Sequence, residues 1–280
     1  MAAPTTPLSG IQSLIVVGGV VVGAQTDATL NLPSEVVDIA TKNDFGWQQS
    51  LPGVKSFSLD TGNLIKDTTG KPFISNDQPN RVSVTFDTIQ LDELTSVEVS
   101  LSQDTERVST MSGGLAQSLF LGQRDVQLSL SGLYVDPAAS TSQLQTLLDA
   151  RDNADRLSTV ITVDQFTMSG EFSLEDFSIQ GDAAASPIAV DLALSSSGTV
   201  TTGGTPFDAS VSMILDAFFN QTLATTAFEL QDSTGPIVGS TRFTGNGYFG
   251  SVDLSMNAED PASMSATLEG DGPIATAAVV

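Results

Sequence analysis

Through most of the chain apolar residues occupy every second position, in short runs bounded by Gly, Ser, Asp or Pro. Val82, Val84 and Phe86 alternate with polar neighbours, and so do Val97, Val99 and Leu101, then Val126, Leu128 and Leu130, then Val190, Leu192 and Leu194. Successive side chains of a strand point to opposite sheet faces, so each set predicts a strand with one face turned to a core. Two segments have helical spacing instead: Leu144, Leu147 and Leu148 within 142–153, and Val211, Ile214, Leu215 and Phe218 within 208–220. They predict short amphipathic helices, with Ser140 or Ser142 capping the first and Asp208 the second. The stretch from Leu14 to Ala24 fits neither pattern, being apolar or glycine throughout.

Both predicted helices contain an aliphatic-Leu-Asp-Ala tetrapeptide, Leu147–Ala150 and Ile214–Ala217, and similarity continues after each. The stretches 166-FTMSGEFSLEDFSI-179 and 243-FTGNGYFGSVDLSM-256 align without a gap. They share Phe166/Phe243, Thr167/Thr244, Gly170/Gly247, Phe172/Phe249, Asp176/Asp253 and Ser178/Ser255. Each runs into an alternating strand ending in glycine, 190–198 and 264–272. A weaker echo links 54-VKSFSLDTGNLI-65 with 125-DVQLSLSGLYV-135. The order of these pieces predicts one domain inserted into its own duplicate: 12–81 with 202–275 as a discontinuous domain, 82–201 as the inserted copy, and terminal arms at 1–11 and 276–280. Linkers are expected around 66–80 and 198–206. A single large sandwich with accidental similarity is the alternative.

Composition removes several function classes. Thirty-three Asp and Glu against ten Lys and Arg give a net charge of −23, so binding nucleic acid by neutralising phosphates is disfavoured. The low-lysine, Asp-rich, cysteine-free chain resembles proteins that work in near-saturated salt, where screening removes self-repulsion. Neither His nor Cys is present, so Ser-His and Cys-His catalysis and zinc sites are unavailable. Glu171, Glu175 and Asp176 form a carboxylate cluster of the kind glycosidases use, but one Trp and two Tyr leave little surface for stacking a sugar. The apolar phase shifts there between Phe172/Leu174 and Phe177/Ile179, which predicts a bulge or bend at Glu175–Asp176. The runs 152-DNAD-155 and 258-AEDP-261 offer oxygen ligands but match no defined calcium loop, and solvated turns are expected. Asn220-Gln221-Thr222 spells a glycosylation acceptor at a helix end, where a turn explains it equally well. Trp47 is expected to be a core or interface anchor. No catalytic, cofactor-binding or metal-binding residue is assigned, and no enzyme activity is expected.

In 29-TLNLPSEVVDIATKNDFGWQQSLPGVKSFSL-59 an aliphatic strand leads into Val37-Asp38-Ile39-Ala40-Thr41-Lys42, then Gly46-Trp47 and a Leu51-Pro52-Gly53 turn. Further on, 128-LSLSGLYVDPAASTSQLQTLLDA-150 is a strand ending in Ser-Gly-Leu-Tyr followed by a Gln-rich amphipathic helix, and 190-VDLALSSSGTV-200 closes the order. This sequence of motifs resembles the major tail (tail tube) proteins of long-tailed phage-like viruses; with the salt-adapted composition a haloarchaeal one is expected, an ordinary acidic soluble protein being the other reading of that composition. The resemblance covers most of 29–200. It departs from the family in that Leu-Pro-Gly and Ser-Gly-Leu-Tyr fall in different repeats, and the final helix and strands are additional.

The resemblance implies a mainly β fold, with duplicated tail-tube-like β-sandwich or half-barrel domains, each with one short flanking α-helix. It implies a virion protein of the tail, made in the host cytoplasm, that self-assembles into stacked rings. Its partners would be copies of itself, with tail terminator, tape-measure and baseplate proteins, and viral DNA would pass through an acidic lumen without specific binding. Two domains per chain would make three-fold rings with pseudo-six-fold symmetry. Another β-rich virion or cell-surface structural or adhesion protein of a halophile is the alternative.

The apolar run remains to be placed. It falls short of the roughly 20 residues a spanning helix needs, and no basic residue precedes it, so neither a membrane segment nor a signal peptide is expected. GGVVVG at 18–23 has the glycine spacing of a phosphate loop but lacks the Lys-Ser/Thr. Extended chain is expected, as one strand or two meeting at Gly18-Gly19, packed in a subunit or ring-to-ring contact. On that reading a chain beginning at Gln25 would be soluble but unable to polymerise.

Overall fold

The computed structural model describes residues 13–23, 25–39, 49–67, 70–74, 81–87, 89–91, 94–109, 117–133, 147, 149–153, 155–180, 189–204, 209–232 and 235–279. Leu144, Leu148, Trp47, the terminal arm 1–11 and the capping positions Ser140, Ser142 and Asp208 lie outside them.

The chain is mainly β and antiparallel. It starts with β1 (Ser13–Val17), β2 (Val20–Val21), β3 (Gln25–Asn31), β4 (Ser34–Ile39), β5 (Gln49–Lys55) and β6 (Ser58–Leu64). Next come β7 (Val82–Phe86), β8 (Ile89–Leu91), β9 (Leu94–Ser109) and β10 (Gln117–Leu133). Helical residues at 147 and 149–153 separate these from β11 (Arg156–Val163), β12 (Phe166–Gln180), β13 (Ala189–Ser196) and β14 (Thr201–Gly204). The helix Ala209–Phe219 precedes β15 (Ala224–Asp232), β16 (Gly235–Pro236), β17 (Thr241–Asn257) and β18 (Ser263–Ala278).

The period-two positions form the core. Val84, Phe86, Val97, Val99, Leu101, Val126, Leu128, Leu130, Leu192 and Leu194 are all buried. Val211, Ile214, Leu215 and Phe218 of the helix are buried beside them, as is Leu147 of the earlier helical turn.

Two groups of strands have the same neighbour order. Within 82–204 the order is β8-β7-β11-β12-β13-β10-β9. In the flanking segments it is β2-β1-β15-β17-β18-β6-β3. The two stretches that align in sequence, in β12 and β17, occupy the same place in these orders, and so do the weaker pair in β6 and β10. Phe172 lies opposite Ser196 and Phe249 opposite Leu268, and a register shift follows shortly after each, between Leu174 and Asp176 and between Phe249 and Ser251. A bulge bends a strand and lets it pass from one layer of a sandwich to the other. In β12 the residues up to Ser173 pair with β11 and those after it do not; in β17 the early residues pair with β15 and the later ones leave it.

The expected linkers are structured where they are described. Ile65 and Phe73 are fully buried, the Phe73 N–H donates to the Ile65 carbonyl at 2.8 Å, and the Ala262 N–H donates to the Phe73 carbonyl at 2.8 Å. Arg81 lies 4.1 Å from the Phe73 ring centre and pairs with Asp67 at 3.4 Å. Replacing Arg81 by Ala is expected to cost about 1–3 kcal/mol, because a mostly buried carboxylate loses its partner and an aromatic face loses its cation; urea unfolding measures it. In the second expected linker, Thr201–Gly204 pairs with the start of β12 as β14.

The apolar run is a hairpin. Val17 pairs with Val20 across Gly18 and Gly19, whose φ angles of 56° and 83° are those a type I′ turn requires. Packing within the chain covers most of its apolar side chains. Ile15, Val16, Val17 and Val22 are buried within this chain, β1 is paired with β15, and Gly18 lies against Met213 of the helix. Of its described aliphatic side chains only Val20 and Val21 stay exposed.

β4 and β5 continue the β3–β6 hairpin. Asn31 opposes Ser58 and Ser34 opposes Lys55, with the ladder broken at Leu32-Pro33, where the Ser56 N–H still reaches the Pro33 carbonyl at 3.2 Å. Proline has no N–H to give a ladder, so pairing is interrupted there. Among the described residues β4 and β5 pair only with each other.

Candidate functional site: an acidic sheet face with two open edges

The two strand groups meet where β17 runs beside β9. Val252 opposes Leu101, Leu254 opposes Val99 and Met256 opposes Val97, all buried. This junction makes one sheet of β12-β13-β10-β9-β17-β18-β6-β3, with four strands from each group. One face is the core described above.

The opposite face follows from the alternation and the registers. One row across it reads Thr29, Asp60, Thr267, Ser251, Ser102, Asp125. A second reads Asp27, Gly62, Ser265, Asp253, Ser100, Gln127, Ser195, and a third Ser263, Ser255, Glu98, Ser129, Ala193, Asp176. A fourth runs Asn257, Ser96, Ser131, Asp191, Ser178. No Lys or Arg stands in any of these rows, although seven carboxylates do; the second row continues through Ser173 of β12 to Arg156 at the start of β11. Five of the described cations have partners elsewhere: Arg81 beside Asp67, Arg107 with Glu269 at 3.2 Å, Arg151 with Asp152 at 3.1 Å, Arg242 with Glu229 at 3.4 Å, and Arg124 against the Phe218 and Phe219 carbonyls at the helix end. Lys55, Lys66 and Lys71 also stand outside the four rows, and Arg156 lies beyond the end of the second.

Hydroxyl and amide donors hold the carboxylates of this face. Ser100 donates to Asp253, which also accepts from Ser265 at 3.4 Å. Asp60 accepts from Thr267 at 2.9 Å and from Asn31 at 2.8 Å. Asp191 accepts from Ser178 at 3.3 Å, and Asp125 from Gln127 at 3.1 Å and Ser196 at 3.2 Å. Neutral donors fix these four carboxylates without cancelling their charge, so the face presents a negative potential and many hydroxyls.

Among the described residues each end of the sheet is an open edge. Leu174–Gln180 of β12 pairs with β13 on one side, and β3 pairs with β6 on one side; among the described residues neither has a strand on its other side. Ile179 and Leu32, near these edges, are about half exposed, at 48% and 49%.

The residues weighed for chemistry fall into structural places. Glu171 and Asp176 are exposed along β12, and Glu175 sits in the register shift between Leu174 and Asp176, where the phase change placed a bulge. Asp152 pairs with its neighbour Arg151, and the Asp155 N–H donates to the Ala150 carbonyl at 2.9 Å. The stretch 258–261 bends back to β9 through the Ala258 N–H and Thr95 carbonyl at 2.9 Å. Asn220, Gln221 and Thr222 close the helix by N–H bonds to the carbonyls of Asp216, Phe218 and Ala217. Among the described residues no group of three or more acidic side chains is placed to hold a metal ion, and no helix is long and apolar enough to cross a membrane.

No protein-family model matches the chain, and no curated protein does. Solved structures with a similar course include one from the virion of a native gene transfer agent particle, at TM-score 0.40 and 17% identity, covering 46% of this chain and 99% of that one. Another is from the tail of an empty gene transfer agent particle refined with C6 symmetry, at TM-score 0.39 and 17% identity with the same coverage. A third is from the six-fold-symmetrised baseplate of the anti-feeding prophage, at TM-score 0.35 and 14% identity, covering 44% of this chain and 91% of that one.

The acidic face could have been found earlier only in part. Outward Ser and Asp positions are readable strand by strand, but which strands share a face depends on the junction of β17 with β9, for which the sequence has no signal.

Proposed function

We propose that this chain is the building block of a viral tail tube, a structural protein with no catalytic role. Its two strand groups are duplicated tube domains, one inserted into the other, and three chains supply the six places of a ring. Rings stack into a hollow tube in the virion of a halophilic host's virus, and DNA passes through it without being bound.

The observation that carries this reading is the continuous sheet from β12 to β3: one face buried, one acidic with no Lys or Arg in its four central rows, and among the described residues an open strand at each end. Such a sheet has unpaired backbone groups at both edges, and closure with other copies removes them. A lining of fixed carboxylates and hydroxyls repels phosphate and offers it no counter-charge, so duplex DNA slides rather than sticks. The motif order between residues 29 and 200 supports the same reading, and by that resemblance the tube ends would meet tail terminator, tape-measure and baseplate proteins.

Cryo-electron microscopy of the purified protein in concentrated salt tests this. Hollow tubes with three full-length chains per ring are expected; rings of six full-length chains, or monomers under every condition, would overturn it. A second expectation concerns the lining. Tubes carrying Glu98→Lys with Asp191→Lys should retain duplex DNA in a salt-sensitive way in a filter assay, whereas unaltered tubes should let it through.

A further inference from the structure

The junction inside the chain specifies how one copy would join the next. Residues Ser251–Asn257 of β17 lie between β18 and β9, and the pairing is antiparallel with Asp253 opposite Ser100 and Leu254 opposite Val99. Apolar side chains from both strands meet in the core below, and Ser100 donates to Asp253 on the polar face above.

The shared strand order gives each side of this junction a counterpart. Starting from Phe172 and Phe249, the later half of β12 takes the place of the later half of β17, with Asp176 at the position of Asp253 and Phe177 at that of Leu254. Leu192 and Met264 then correspond, and following the registers through β10 and β6 brings Leu30 to the place of Leu101, Thr29 to that of Ser100 and Ala28 to that of Val99. Both counterpart edges lack a partner strand among the described residues.

We propose that β3 of one copy pairs with the later half of β12 of the next copy, in the register of the internal junction. This deepens the tail-tube reading and rests on it. Asp176 then lies opposite Thr29 of the next copy, Phe177 opposite its Ala28 and Ser178 opposite its Asp27. The Thr29 hydroxyl donates to Asp176 as Ser100 does to Asp253. The contact is head-to-tail, because the two surfaces differ, so its repetition generates a ring rather than a closed two-fold dimer. Three chains, each bringing eight strands, make a barrel of twenty-four.

The edges also carry their own safeguard. Glu175 and Asp176 on one and Asp27 on the other repel at low ionic strength, and salt screens that repulsion. Assembly should therefore rise with salt concentration, whereas contacts made by attraction between opposite charges would weaken.

The absence of cysteine makes a direct test practical. Two double variants, Asp176→Cys with Thr29→Cys and Ser178→Cys with Asp27→Cys, place thiols in facing positions on the polar side of the edges. Mild oxidation of the full chain in concentrated salt should give covalent oligomers ending at a closed trimer. Asp253→Cys with Ser100→Cys should close within one chain and serves as the control for geometry and folding. Asp176→Cys with Asn31→Cys, two residues out of register, should stay largely monomeric on a non-reducing gel. Tubes that form normally while neither in-register pair crosslinks would overturn the edge pairing and leave the tube reading standing. Absence of any assembly by the unaltered protein would overturn both.

Discussion

A chain that begins at Gln25 is expected to fail to fold, accumulating as insoluble or protease-sensitive material. Deleting the segment before it removes Ile15, Val16, Val17 and Val22, which are at most 7% exposed. Burying one such side chain contributes roughly 1.5–3 kcal/mol, so the four together amount to on the order of 6–12 kcal/mol. Domains are stable by only about 5–15 kcal/mol in all, so the loss is comparable with the whole. The deletion also exposes the β15 edge that β1 covers. Soluble yield and denaturant unfolding read the outcome. The contrasting variant Val20→Ser with Val21→Ser touches only the exposed part of the hairpin and should change stability by less than about 1 kcal/mol. A well-folded Gln25 chain would show that β1 is an accessory strand.

Phe57→Ala is expected to be the most destabilising single substitution considered, at about 3–5 kcal/mol. Its side chain is 2% exposed, and its ring fills the space over Gly245 of β17 and Gly270 of β18. A Cβ at either glycine would run into the ring, so neither neighbour has a side chain with which to fill the vacancy. For a chain of this size that corresponds to a fall in melting temperature of about 6–20 °C. Gly270→Val should be destabilising for the opposite reason, overfilling the same seat by about 1–3 kcal/mol or more. Thermal unfolding of the two variants separates the cases: a mild effect of both would mean that the ring and the glycines are not in contact.

Local pattern made much of this molecule legible, and long-range pairing did not. Val97, Val99 and Leu101 alternate with polar residues because one face of β9 is buried, and the spacing of Val211, Ile214, Leu215 and Phe218 marks the buried side of their helix. The aligned stretches 166–179 and 243–256 were readable because two strands with the same place in the strand order carry Phe, Gly and Asp at matching positions. The Leu14–Ala24 run was legible as extended chain with apolar residues on both faces. What covers those faces was not, because the helix and β15 come about 200 residues later in the chain. The carboxylates of the candidate lining were equally hidden. Asp60, Asp125 and Asp253 look like any outward-facing acid in their own strands, and only the registers place them on one surface.

The nesting of the two strand groups has a consequence for the order of events during synthesis. Every partner that β7 to β14 need within their own group lies between residues 82 and 204, so that group can complete its pairing while the chain beyond residue 204 is still unmade. β1 and β6 must wait, since β15 and β18 emerge last. Domains form as units during translation, and distant pairings form slowly because the intervening loop must first be closed. Here the early-formed group shortens that search: its β9 stands ready as a template, and β17 adds to it as soon as it leaves the ribosome.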